Sequence, residues 1–313
     1  MRLLQPEGDG GFSLVEYVGR DFPQYAILSH TWGADHEEVT FRDLTEGTGK
    51  SKAGYRKLTF CAKQAAHDSL QFFWVDTCCI DKSSSTELSE AINSMFRWYH
   101  NSAKCYVYLS DVTTSGFADN DKSFQKSRWF TRGWTLQELI APTYVGFFSK
   151  EGDLLGDKDS LMIQIAEITG ISVEALQGIP LSYFSVEERM SWARGRDTKR
   201  EEDTAYSLLG IFDIHMPLIY GEGQTKALNR LQKKTSKAPK DEWTLPSLVP
   251  AAKVAEMELA EEFEGNDPGE VAWMNIVKRW KKNGCCFNCG SRQHWEDDCQ
   301  EKCGKCKAFS SIQ

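Results

Sequence analysis

Four short apolar runs, spaced by stretches of helical periodicity, constrain this chain more than any other feature. They are Tyr25-Ala-Ile-Leu-Ser-His-Thr-Trp32, Phe72-Phe-Trp-Val-Asp76, Cys105-Tyr-Val-Tyr-Leu109 and Tyr144-Val-Gly-Phe-Phe148. Runs that are apolar at nearly every position, rather than at alternate ones, suit strands buried on both faces. Between the first two, residues 53–69 carry Tyr55, Leu58, Cys61, Ala62 and Ala65 at helical spacing. Between the second and third, residues 87–101 carry Leu88, Ala91, Ile92, Met95, Phe96 and Tyr99 on one stripe, with Ser85 or Thr86 as the expected N-cap. A third helix begins at Trp134 and is stopped by Pro142. This alternation predicts an α/β fold in which a parallel sheet is covered by helices on both faces. Ligands in such folds collect beyond the carboxyl ends of the strands, which here means Ser29, His30, Asp76 and Ser110-Asp111. Residues 160–233 read as a helical extension punctuated by Gly170, Gly178 and Pro180.

The chain has 313 residues, a length that fits one large domain plus a small module. Its formal net charge of -8 argues against bulk electrostatic coating of nucleic acid. No run of eighteen apolar residues occurs, so no membrane span is expected. The first residues turn acidic and Gly-rich before any apolar core of a signal peptide forms, so the cytoplasm, with the nucleus second, is the expected compartment. Cys61, Cys78, Cys79 and Cys105 lie in apolar surroundings and read as small buried hydrophobes rather than reactive thiols. Trp32, Trp74 and Trp134 read more readily as core than as ligand stackers.

Three clusters organise the N-terminal part: Tyr25 to Gly33, Trp74-Val-Asp-Thr-Cys-Cys-Ile-Asp81, and Arg132-Gly-Trp-Thr-Leu-Gln-Glu138. Together with the trailing Met216-Pro-Leu-Ile-Tyr-Gly-Glu-Gly223, they resemble the signature blocks of the fungal heterokaryon incompatibility (HET) domain over residues 1–233, with a core at about 25–148. The resemblance implies a cytoplasmic domain that triggers programmed cell death when incompatible hyphae fuse, through self-association or an incompatibility partner protein. The order Leu88 to Ile92, Ala103 to Ser110, Trp134 to Leu139 is in turn similar to TIR domains, which implies a TIR/flavodoxin-like parallel sheet with helical additions. In TIR enzymes the Glu of the last motif cleaves NAD at the nicotinamide bond. That resemblance makes Glu138 the candidate catalytic residue, NAD the candidate substrate, and Ser29, His30, Trp32, Asp76 and Trp134 the candidate pocket. Thr135 stands where TIR domains carry Cys. The rival class is a non-catalytic interaction module. Ser29, His30 and Asp76 have the residue types of a hydrolase triad, but no G-x-S-x-G elbow accompanies them. Gly221 to Lys226 lacks the spacing of a phosphate loop and reads as a plain loop.

The C-terminal part has a different composition. Residues 234–252 read as a linker, 253–282 as a helical segment, 284–301 as a zinc module and 302–313 as a tail. Cys286, Cys289, His294 and Cys299 form C-x2-C-x4-H-x4-C. Three thiolates and one imidazole fill a tetrahedron with no open position, which makes a structural zinc site. A segment this short has no core of its own, so the metal must supply its folding energy. The run resembles the zinc knuckle of nucleocapsid and RNA-processing proteins, which implies that Phe287 and Trp295 stack on bases of single-stranded RNA or DNA. Lys281, Lys282, Arg292, Lys302, Lys305 and Lys307 are placed to meet phosphates, whereas Gln293 replaces the usual Gly and Glu296-Asp297-Asp298 opposes nucleic acid. A competing ligand set, Cys286, Cys289, Cys303 and Cys306, would form a zinc ribbon. Native mass spectrometry of residues 270–313 is expected to count one zinc ion. His294→Ala then lowers zinc affinity sharply for the knuckle and leaves it unchanged for the ribbon.

Overall fold

The computed structural model describes residues 1–236, apart from 9, 20–21 and 119–121. Its strands are β1 (Arg2–Pro6), β2 (Phe12–Glu16), β3 (Tyr25–His30), β4 (Phe72–Trp74), β5 (Lys104–Tyr108), β6 (Val145–Phe148) and β7 (Leu154–Asp157). The longer helices are α1 (Phe41–Glu46), α2 (Tyr55–His67) and α3 (Ser85–His100) in the first half of the chain. They are followed by α4 (Thr114–Ala118), α5 (Thr135–Ile140), α6 (Met162–Thr169), α7 (Val173–Leu176), α8 (Val186–Ser191), α9 (Asp203–Tyr206) and α10 (Gln224–Thr235). Residues 1–176 and 184–236 belong to one compact unit, and the 3-10 turn Leu181–Tyr183 falls outside it.

One seven-stranded sheet runs β2-β1-β4-β3-β5-β6-β7. The four predicted strands β4, β3, β5 and β6 are mutually parallel. The fully parallel sheet expected from sequence is corrected at both edges: β1 and β2 form a hairpin that joins β4 antiparallel, and β7 returns antiparallel on β6. An antiparallel neighbour needs only a short turn, whereas a parallel one needs a crossover, so short flanking segments close the sheet this way. The α/β class holds. The N-cap of α3 is Ser84 rather than Ser85 or Thr86: its side chain accepts the Glu87 amide at 3.3 Å. Lys234 and Thr235, expected to open the linker, instead complete α10, and residues 237–252 of that segment lie outside the described residues.

Strand β3 holds the centre because it is buried at all six positions. From it the chain winds outward in both directions, first through α2 to β4 and then back over β3 through α3 to β5. Crossovers of the usual right hand put α2 and α3 on opposite faces, and the strand order reverses at the carboxyl ends of β3 and β5, where folds of this kind hold their ligands. Helix α5 packs on α3 and β3. The core is aromatic. Trp74 lies 5.6 Å from Trp98 and 6.0 Å from Tyr99, and Trp129 lies edge-on to Phe130 at 5.1 Å and to Phe147 at 5.6 Å. Such edge-to-face pairs contribute about 0.5–1.5 kcal/mol each beyond the area they bury. Cys61, Cys78, Cys79 and Cys105 are all buried, as expected, and burial pushes the thiols of Cys61, Cys78 and Cys105 up.

The loop after β3 is shaped by a buried ion pair. Lys57 of α2 bonds the Glu38 carboxylate and donates to the Thr31 carbonyl at 3.0 Å, while Glu38 accepts the Gly33 amide at 2.6 Å. Removing either charge would strand the other in the core, so the pair fixes the loop that carries Trp32. On the far side of α3, Gly210 lets a 3-10 turn sit directly on Phe96, where an added Cβ would come within 2.1 Å of the Phe96 Cβ. Gly210→Ala is therefore expected to cost about 1–3 kcal/mol by overpacking. Denaturant unfolding should show a lower midpoint at unchanged slope, and an unchanged midpoint would contradict this packing.

Candidate functional site

Two hydrogen-bonded groups form where the first three sequence blocks meet. In the first, Ser29 near the end of β3 donates to Glu138 Oε2 on α5, and Trp129 Nε1 donates to Ser29 Oγ at 2.7 Å. An indole nitrogen can only donate, so Ser29 Oγ must accept from Trp129 and pass its own proton toward Glu138. Ser29 and Trp129 are fully buried and Glu138 is nearly so. Trp129 is held in place from the carboxyl end of β5: Asp111 accepts Ser127 Oγ and the Arg128 amide, both at 2.8 Å. Thr135, at the start of α5, donates to the Trp129 carbonyl at 2.6 Å and accepts from Arg196 at 2.9 Å. Burial raises the Glu138 carboxyl to about 8, with the charge of Asp76 adding to the rise and the Ser29 bond and Arg196 opposing it. The group is thus mainly protonated at neutral pH.

The second group centres on Asp76, just beyond β4. Its Oδ2 accepts Trp32 Nε1 at 2.9 Å, and its Oδ1 lies 3.1 Å from His30 Nε2. Burial alone would raise this carboxyl. The charge of Lys82 and the bonds from His30 and Trp32 outweigh it and hold Asp76 at about 2. An ionised carboxylate only accepts, so His30 carries its proton on Nε2. Lys82 lies over the Trp32 ring, 3.7 Å from its centroid.

Trp134 goes elsewhere. It is a candidate pocket residue, but its indole N–H points to Asp203 at 3.3 Å, which also accepts from Tyr220 at 3.0 Å. As N-cap of α5 it precedes the first helical turn, and the packing of residues 203 and 220 captures it. Of the loop expected over 221–226, residues 221–223 are loop, whereas Gln224 to Lys226 form the first turn of α10. Glycines with positive φ at 221 and 223 aim both amides at the Glu202 carboxylate, at 2.7 and 3.0 Å, so the chain's own anion fills that cradle.

Of the predicted pocket residues, the structure joins Ser29 with Glu138, and His30 with Trp32 and Asp76. It leaves Trp134 with Asp203. Among the three indoles, Trp74 is core, as read, whereas Trp32 and Trp134 are half-buried with their N–H groups on carboxylates. Trp129, Lys82, Arg196 and Asp203 were not singled out from sequence. Trp129 carried no signal of its own, since the buried indoles of Trp74 and Trp192 have N–H groups without a hydrogen-bond partner among the described residues. The zinc ligands Cys286, Cys289, His294 and Cys299, their rivals Cys303 and Cys306, and the stacking residues Phe287 and Trp295 lie outside the described residues. Among the described residues, no cluster of three metal-ligating side chains occurs, and no helix is long and apolar enough to cross a membrane.

The raised carboxyl of Glu138 has a definite consequence for stability. Its folded pKa of about 8 exceeds the unfolded value of roughly 4.3, so between the two the native state holds the extra proton. The stabilisation is complete below the unfolded value, declines by about 1.4 kcal/mol per pH unit through the window, and is gone above the folded value. Gln carries both hydrogen-bonding roles of the protonated acid. Glu138→Gln is expected to flatten that decline and to be the more stable protein at alkaline pH. Parallel unfolding curves for both proteins would contradict the assignment.

Residues 25–125 match the family described as "Heterokaryon incompatibility protein (HET)". Over 243 residues, 76% of this chain, it is 60% identical to the vegetative incompatibility protein HET-E-1 of Podospora anserina. The chain spans only 18% of that relative's length. No solved structure matches it. The first two sequence blocks, which supply Ser29, His30, Trp32 and Asp76, lie inside the segment that matches the heterokaryon incompatibility (HET) family.

Proposed function

We propose that residues 1–233 act as an incompatibility effector, a domain whose activation commits the cell to programmed death. The observation that carries this is the convergence of three separated sequence blocks on one bonded network at the carboxyl ends of the central strands, in a chain 60% identical to a vegetative incompatibility protein. Activation comes through self-association or contact with an incompatibility partner protein, in the cytoplasm or, secondarily, the nucleus.

A second reading has a specific observation behind it. Glu138 bonds Ser29 near the end of β3, where the order of the parallel strands reverses, which supports a TIR-like reading. In that reading the domain cleaves NAD. The bond between nicotinamide and ribose breaks, the ionised Glu138 carboxylate stabilises the oxocarbenium-like centre, and water supplies the hydroxyl of the ribose product. His30, Trp32 and Asp76 then line the pocket with Ser29. The resting geometry is closed to this chemistry, because Glu138 is buried under Ser29 and is mainly protonated. Clustering of domains supplies the opening. The C-terminal part binds one zinc ion through Cys286, Cys289, His294 and Cys299 and adds contacts to single-stranded RNA or DNA, a reading that rests on ligand spacing alone.

Induced expression in a fungal host, scored for cell death, tests the effector reading. Nicotinamide release by purified, artificially clustered protein tests the enzymatic one. Loss of both in a folded Glu138→Ala variant supports NAD cleavage. Death without nicotinamide release leaves an interaction module, and absence of death from the wild-type chain, clustered or not, sinks the effector proposal.

A further inference from the structure

Trp32 and Asp76 line the pocket of the enzymatic reading above, but the contact of Lys82 with the Trp32 ring is used by neither reading. Trp32 is only half-buried, and its indole N–H is tied to the Asp76 carboxylate, which fixes the ring while leaving one face open to Lys82. Asp76 keeps a fifth of its side chain exposed. Each of its oxygens accepts one hydrogen bond and retains further accepting capacity toward the ring edge. Behind it His30 is buried, with Nδ1 lacking a protein partner among the described residues. The nearby carboxylate of Asp35 is already engaged by Lys199, so Asp76 is the anion that serves the Trp32 face.

Lys82 is presented by a pinned turn. Asp81 Oδ1 accepts the Ser83 amide at 3.0 Å, the Asp81 amide donates to Glu87 at 2.8 Å, and Ser84 caps α3. The backbone is therefore held by these bonds, while the Lys82 side chain is exposed on a flexible four-carbon stem. An aromatic face with a carboxylate at its edge is a receptor for positive charge. It favours weakly hydrated, delocalised or quaternary cations over a strongly hydrated ammonium.

We propose that the Trp32 face and the Asp76 carboxylate form a binding site for a small organic cation of the pyridinium or quaternary ammonium class, and that Lys82 is an internal occupant that such a ligand displaces. The site does not depend on NAD cleavage, and its test involves neither turnover nor cell death.

The full chain is titrated by calorimetry with N-methylpyridinium, and with pyridine at neutral pH as its uncharged counterpart. Lys82→Ala should bind N-methylpyridinium roughly tenfold more tightly than wild type, a factor in the range of a partly desolvated cation–π contact. Lys82→Arg should stay at the wild-type level, because the guanidinium restores the internal cation. Pyridine should bind weakly to every variant, and adding Trp32→Ala to Lys82→Ala should abolish the gain. Circular dichroism of each variant checks that the fold is retained. A Lys82→Ala protein with no gain would overturn the proposal, as would equal gains for charged and uncharged probes or a gain that survives loss of Trp32. If Trp32→Ala unfolds, Trp32→Phe replaces it, with a partial loss expected.

Discussion

The chain from Trp129 through Ser29 to Glu138 is the interaction on which the rest of this end of the molecule depends. It joins the central strand, the turn after β5 and helix α5 through groups that have little or no access to water. Donor chemistry fixes its direction, since an indole can only give a proton and Ser29 must therefore give its own to Glu138. Every partner is buried, so loss of one leaves another unsatisfied, at about 1–3 kcal/mol per stranded group. The same burial keeps the carboxyl mainly protonated at neutral pH, because an ionised form would have to be paid for in lost hydration. The feature that makes Glu138 an attractive catalytic candidate therefore also locks it shut.

In the group around Asp76 the opposite solution operates. Asp76 is ionised because Lys82, His30 and Trp32 supply charge and donors that outweigh burial. Two carboxyl groups at one end of one sheet thus take opposite protonation states, and the negative charge of Asp76 helps to keep Glu138 neutral. Such divergence is the pattern by which a single site separates an acid from an anion. Around them, the Lys57–Glu38 pair shapes the loop bearing Trp32, and Asp203 joins the start of α5 to Tyr220. The trailing block at 216–223 is thereby tied to the same assembly, although it is far away in sequence.

The central strands were legible because each is buried on both faces and so is apolar throughout. The hairpin at residues 2–16 and the strand at 154–157 were not. They lie at or near the sheet edges, where Arg2-Leu-Leu-Gln-Pro6 and Leu154 to Asp157 carry too few apolar positions to stand out. The cap of α3 was misread by one to two residues because the adjacent serines and threonine offer the same hydroxyl, and only backbone geometry chooses among them. The pairing of His30 with Asp76 follows from the register of neighbouring parallel strands, which sets Trp74 level with Ile27 and so carries Asp76, just beyond β4, toward the end of β3. Trp129 was missed because nothing in its local sequence separates an indole that closes a relay from one that fills a core.

Sequence by itself determined the α/β class, the position of Ser29, His30 and Asp76 at the carboxyl ends of strands, the burial of the early cysteines and the resemblance to the HET family. All of these follow from local periodicity, residue type and motif order. Tertiary structure alone decided that Glu138 meets Ser29 and Trp129, that Trp134 turns to Asp203, that Glu202 fills the glycine cradle, and that Lys82 covers Trp32. Those outcomes depend on which side chains long-range packing brings within hydrogen-bonding distance and how much water it leaves there. Neither quantity is written in the spacing of residues along the chain.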